Sequence, residues 1–460
     1  MLEAVYTLFW VVLFLGVIKY GGFFRNTPFI GFRTLAFLFL FKCFSGLAFI
    51  LAYTLYFDPD TADFLSFFRQ GKVMFSAVHE NPMDYLKMLT GISSRQEHLE
   101  VYYSEIGHWY RPWDSPLYND NRVLIRFNAL VHLFSFGYLH VHNVVLNFVS
   151  FAGLVGIYHF AINFSPREKA QWLLGGIVLM PSVLFWASGI IKEGLLMGIF
   201  GLWLFMVHRV FYQKKITLWN TAALAFVTFM FTLLKPYVLF LFIPCLLAFY
   251  FSLKRKFQNP SVVFLSVTLI SGLLALGIGQ VFPQYDIIEL LARKQNHSVL
   301  YSLHVEAGSI IEVRHLQARF SEIAAFAPKA LINVFFRPHL LDSSSPLIVM
   351  SAIENLFIKF ITIVLLIKAI KNKGLPPIAW MGLLFTLLFF TFIGISTQVY
   401  GSLVRYKVPA LPFLWIAFIT VTDIQKASQW QPIRWLIEFF EKIKYKFRDF
   451  TSRQKETKNE

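Results

Sequence analysis

Three carboxylates, Asp58, Asp60 and Asp63, stand within six positions at the end of an apolar run, and Pro59 between them stops a helix there. Carboxylates so placed can act as a general base, ligate a metal or close over a polar substrate. A solvated helix end has the same sequence. Four cations form a second group. Lys192 (followed by Glu193), Lys235, Arg337 (with His339 two residues on) and Arg405 each lie near Pro or Gly at the edge of an apolar run. Any one of them could snorkel to water, but four at comparable depth predict an anionic ligand. A lipid phosphate or diphosphate fits best, because Arg grips its oxygens bidentately and Lys adds a point charge. Such a leaving group needs neutralising as its bond breaks. Lys192 and Glu193, beside lipid, must be paired or used. The histidines His297, His304, His315 and His339 lack metal-ligand spacing, and no glycine-rich phosphate cradle occurs. No metal ligand or cofactor is assigned, although the loop carboxylates leave room for a divalent cation.

The elements that must position these residues are membrane helices. The chain is 57% hydrophobic, 18% aromatic and 15% charged, and its apolar residues lie in runs too long for a soluble core. Runs near 2–19, 34–56, 140–163, 171–188, 190–211, 216–234, 237–253, 261–282, 346–367, 376–395 and 408–424 predict an all-α polytopic membrane protein of about eleven transmembrane helices. If the connector after the first run is cytoplasmic, Lys19, Arg25 and Arg33, then Arg167 and Lys169, Arg209, Lys214 and Lys215, Lys254–Lys256, and Lys368, Lys371 and Lys373 all fall on that side. This places the N-terminus outside and the C-terminus inside. Segment 122–138 breaks the alternation if counted as a crossing. With Arg122, Arg126 and His132 along it and Gly137 closing it, it reads as an interfacial helix.

Residues 1–424 thus form the transmembrane domain and 425–460 a cytoplasmic tail, whose 432–450 stretch mixes aromatic and basic residues as an amphipathic helix does. The net charge of +16 is spread over connectors, which gives no reason to propose nucleic acid as a partner. Cys43 and Cys245 both lie in apolar runs, so no disulfide framework is expected. The first run lacks a basic leader and a small-residue cleavage site. Two long connectors, 57–122 and 283–345, fall on the outer side, where chemistry is expected. The first also carries His108, Trp109, Tyr110, Arg111, Pro112, Trp113 and Asp114, a set suited equally to sugar faces and to interfacial anchoring.

A first outer loop opening on Asp58, Asp60 and Asp63, an interfacial helix leading into the next span, and cationic outer turns resemble the GT-C class of membrane glycosyltransferases. The strings PSVLFWASGIIKEG and RYKVPALPFL are also similar to bacterial multi-pass proteins placed near that class. The resemblance covers the order of elements over most of the chain, through short motifs. It implies transfer of a sugar from a polyprenyl-phosphate carrier to a glycan, lipid or protein acceptor outside the cytoplasm. Asp60 or Asp58 would be the base, the basic turn residues would hold the carrier phosphate, and 283–345 would be an acceptor-facing lid. The class often has a second acid in a later outer loop, and here only Glu193 is available. Two other readings stay open. A polysaccharide polymerase or O-antigen-ligase-like enzyme would lead with Arg337, His339 and Arg405, and a transporter or flippase would use Lys42 and His159.

Overall fold

The structure, a computed structural model, describes residues 1–56, 62–110, 118–254, 259–304, 310–311, 315–342, 346–371, 374–424 and 426. Asp58, Asp60, residues 111–114 and the expected tail helix 432–450 lie outside the described residues. Regular structure among the described residues is helical, with one isolated bridge between Ile310 and Val399.

The chain opens with α1 (Leu2–Tyr20), the short α2 (Gly22–Arg25) and α3 (Phe32–Tyr56). The first long connector is itself largely helical: α4 (Asp63–Glu80), α5 (Pro82–Thr90) and α6 (Glu100–Glu105) precede α7 (Asn121–Ser135). Local chemistry sets these bounds. Asn81 caps α5 by accepting from Met83 N–H at 3.1 Å, Pro82 occupies the first turn, and Gly91 ends the helix at φ +80°. Segment α7 forms the helix expected at 122–138. It is closed by Phe136 and Gly137 at positive φ, and its inner face, including Leu124, Ile125 and Ala129, packs on α4. The missing side chain of glycine matters at Gly71 of α4, where a Cβ would fall 2.5 Å from the Asn128 Cβ and 3.0 Å from the Ala129 nitrogen.

The remaining order is α8 (Leu139–Ile162), α9 (Ala170–Leu179), α10 (Pro181–Trp186), α11 (Lys192–Val207), α12 (Leu218–Leu234), α13 (Pro236–Ser252), α14 (Pro260–Val281), α15 (Ile287–His304), α16 (Phe320–Phe336), α17 (Pro346–Lys371), α18 (Pro377–Ser396), α19 (Tyr400–Tyr406) and α20 (Leu411–Val421). The tightest crossing is α8 on α11. There Gly153 and Gly156 meet Gly198 and Gly201 backbone to backbone, the small-residue packing that lets helices approach in lipid. Beside it Phe200, Phe242, Phe385 and Phe413 form an aromatic core, with Phe242 4.9 Å from both Phe200 and Phe385.

Seven of the described helices are long and apolar enough to cross a membrane, and the α19–α20 pair, bent by 56°, makes up to eight. The other three expected crossings take different forms. Residues 171–188 become α9 and α10, broken at Met180–Pro181 because proline stops the first helix and starts the second. Helices α12 and α13 have 17 residues each, the low end of a spanning length, with Pro236 opening α13.

Contacts also sort the connectors by end. Arg167 lies over the Phe29 ring at 5.0 Å, and Lys169 donates to the Thr420 carbonyl at 2.7 Å. Tyr212 faces Phe164 at 5.4 Å and Tyr250 at 5.8 Å. The basic connectors after α1, α8, α11 and α13 therefore share one end of the bundle with the close of α20.

Candidate functional site

The opposite end gathers the isolated charges. Arg405, on α19, donates through Nε to Glu193 Oε2 at 2.8 Å and through Nη1 to Asp63 Oδ2 at 3.0 Å. One guanidinium thus joins the first turns of α11 and α4. Glu193 is 1% exposed, so the pair is buried on the Glu193 side, whereas the Asp63 side chain is half open at 52%. Next to them Lys192 donates to Asp120 Oδ2 at 3.0 Å and Asn121 Oδ1 at 2.8 Å, at the start of α7. Lys235, at the α12–α13 junction, has its Nζ 3.9 Å from the same Asp120 oxygen. Lys235 also lies 4.8 Å from the Tyr406 ring and 5.6 Å from the Tyr237 ring. The second long connector reaches this cluster through α15, whose Lys294 lies 4.2 Å from the Tyr237 ring.

Of the residues singled out from the sequence, Asp63, Lys192, Glu193, Lys235 and Arg405 come together. Arg337 and His339 do not join them. Arg337 donates to Tyr400 Oη at 2.9 Å, and its carbonyl accepts from Asn355 Nδ2 at 2.8 Å. His339 lines a surface cavity of about 450 Å³ with Ala352, Leu356 and Lys359.

Burial alone would raise the Asp63 carboxyl, but the charge and hydrogen bond of Arg405, helped by Lys192 and His108, hold it below the usual carboxylate range. Asp63 is therefore an ion-pair partner and a poor proton acceptor at neutral pH. His108 behaves differently: burial lowers its imidazole, Asp63 pulls it back up, and Lys192 lowers it further. Among the described residues no group of three or more His, Cys, Asp or Glu could hold a metal ion.

A polar node below the site fixes the α10–α11 turn. Lys42, fully buried on α3, donates to the Ala187 carbonyl at 2.6 Å and to Ser188 Oγ at 2.9 Å. Asn143 and Asn147 of α8 both donate to the Ser188 carbonyl at 2.9 Å. A turn inside an apolar bundle exposes backbone carbonyls, and these three side chains satisfy them. Lys42 is thus occupied by structure, and His159 sits against Thr27 Oγ1 and the Phe23 carbonyl at 3.3 and 3.2 Å. Trp109 is likewise occupied. It is stacked on Tyr103 at 4.4 Å with Arg122 4.7 Å above it, which leaves it no face for a sugar.

Sequence reasoning missed Asp120, which sits in an ordinary polar string, YNDN, with no local sign that it faces two lysines. It also missed Glu354 and Lys407. Glu354, buried in α17, accepts from Ser182 N–H at 2.9 Å and from Ser182 Oγ, capping α10 at its break. Lys407, 1% exposed between α19 and α20, donates to Asn355 Oδ1 at 2.8 Å. The signal for Glu354 was present: a lone acid within an apolar run of spanning length. Comparison with protein-family models, with characterised proteins and with solved structures finds no match to this chain.

Proposed function

We propose that this chain is a membrane glycosyltransferase that takes a sugar from a polyprenyl-phosphate carrier and passes it to an envelope acceptor on the extracytoplasmic face. The observation that carries this reading is the network joining Lys192, Lys235 and Arg405 with Asp63, Glu193 and Asp120, at the bundle end away from the basic connectors. Lys192 and Lys235 share a single carboxylate oxygen, so this half of an otherwise neutral network of three cations and three carboxylates carries a local excess of one positive charge, where a phosphate could replace or join Asp120. Low-dielectric surroundings strengthen their pull on an anion. In this mechanism the acceptor hydroxyl attacks the anomeric carbon from one side. The carrier phosphate departs on the other, its charge met by the two lysines, while Arg405 holds the α11 and α4 ends in register.

A transporter or flippase is the second reading. It is favoured by the two broken helices, α9–α10 and α19–α20, flanking α17 with its buried Glu354 and by the buried Lys407 in the second break. Carrier lipids extracted from a deletion strain separate a transferase from a polymerase or ligase. A carrier bearing one sugar accumulates if the chain is a transferase, complete repeat units accumulate if it is a polymerase or ligase, and an unchanged carrier pool removes all the carrier-using enzymes. With the purified chain in nanodiscs, Lys192→Gln/Lys235→Gln should weaken binding of polyprenyl phosphate at least tenfold. Equal binding by the variant and the wild type would overturn the assignment of these lysines.

A further inference from the structure

Beside the ion network, α4 holds the imidazole of His108, which lies in the turn after α6, by one ring nitrogen. His108 Nδ1 lies 2.6 Å from Gln70 Nε2 and 3.3 Å from Ser66 Oγ, and its ring rests on Phe67 with centroids 5.2 Å apart. Asn119 Nδ2 donates to the His108 carbonyl at 2.9 Å, fixing the backbone. No described residue bonds the other ring nitrogen, Nε2, and the side chain is only half-buried. Two charged groups act on the ring. Asp63 is one turn before Ser66 on the same helix, and Lys192 sits at the head of α11 with Asp120 paired to it. A base fixed at one nitrogen by an orienting side chain, with its other nitrogen bonded by no described residue, is the arrangement general-base catalysis needs.

We propose that His108, oriented by Gln70, takes the proton from the attacking hydroxyl, so that His108 and not Asp63 is the catalytic base; this rests on the transferase reading. Arg405 makes Asp63 a poor base, and Asp63 instead acts on His108 through its charge. The required tautomer carries its hydrogen on Nδ1. Gln70 can accept it, because its Oε1 is buried with no partner while its Nε2 faces both Ser66 and His108. The two ends of an amide exchange by rotation, and once turned, Oε1 accepts from Nδ1–H and from the Ser66 hydroxyl. Nε2 of the ring then offers its lone pair. As the hydroxyl oxygen bonds to the anomeric carbon, the carbon–oxygen bond to phosphate breaks. The electron pair leaves with the phosphate, and the hydroxyl proton ends on Nε2, from which water removes it.

The test uses the full chain in nanodiscs with ring-labelled histidine, followed by NMR without substrate. The resonance absent in His108→Gln should titrate below the ordinary histidine value of about 6.5. Asp63→Asn should lower that midpoint further, because the group pulling it up is gone, and Lys192→Gln should raise it. Above the midpoint the ring should carry its hydrogen on Nδ1, a preference lost in Gln70→Leu. In sugar-transfer assays with polyprenyl-phosphate sugars, activity should fall as pH drops through the His108 midpoint. His108→Gln should lower kcat about a hundredfold with KM for the carrier unchanged and no acid limb left. If His108→Gln keeps wild-type kcat and its acid limb, His108 is not the base and the transferase reading stands. If the wild-type chain moves no sugar while the NMR behaves as expected, the transferase reading falls and takes the catalytic role of His108 with it.

Discussion

At the residue scale, the pairing of Glu193 with Arg405 decides whether the outer end of the bundle holds together. Glu193 is buried, and a buried carboxylate without its counter-charge is destabilised far more than the intact pair is stabilised. Arg405→Met should therefore cost about 3–5 kcal/mol and lower the melting temperature of the purified protein sharply. The double variant Arg405→Met/Glu193→Gln should recover most of that loss, since no net charge is left buried. Thermal unfolding in detergent checks both, and a single variant as stable as the double would refute the pairing argument. Glu193 and Arg405 were legible in the sequence because isolated charges beside lipid need partners. Asp63 was legible too, but its role was not: only its contact with Arg405 turns a candidate base into an ion-pair partner. Asp120 and Gln70 gave no signal, since nothing local marks a polar residue whose importance comes from what approaches it.

At the element scale, the α8–α11 crossing is the most constrained contact. A Cβ at Gly201 would overlap the Gly153 backbone, and one at Gly153 would overlap Met197 and Gly198. Because backbone cannot step aside as a side chain does, Gly201→Ala must separate the two helices. The expected loss is about 1–3 kcal/mol, whereas Gly175→Ala on α9, with nothing within 4 Å, should leave the melting temperature unchanged. Since α11 begins with Lys192 and Glu193, Gly201→Ala should also loosen the site it carries. Apolar run lengths show where helices lie but not where they break. Residues 171–188 were read as one crossing although Pro181 lies within them, and Pro409 and Pro412 likewise mark the bend between α19 and α20, which Lys407 holds through Asn355 and the Arg337 carbonyl. The first long connector was read as a loop and is mostly helix, because α4 and α7 bury each other's apolar faces, a pairing set by a partner distant in sequence.

At the scale of the whole molecule, the basic connectors after α1, α8, α11 and α13 share one end and the ion network occupies the other, so a single orientation would put those four connectors on the cytoplasmic side. Starting from a chain with Cys43 and Cys245 replaced by Ala, Gln96→Cys should react with a membrane-impermeant maleimide in intact cells. Lys214→Cys should react only after permeabilisation, and the reverse pattern would place the ion network in the cytosol and remove the carrier-lipid reading. Sequence alone determined that the chain is helical and apolar enough for a membrane, which charges are out of place in it, and which connectors belong together. All of these follow from the cost of placing a single residue or run in lipid, a quantity that needs no knowledge of neighbours. Tertiary structure alone decided which acid meets which cation, that Arg337 stands apart from Arg405, and that His108 faces Gln70. Those outcomes depend on the packing of helices far apart in the chain, and short-range hydrogen bonds and ion pairs change over an ångström that composition and spacing do not specify.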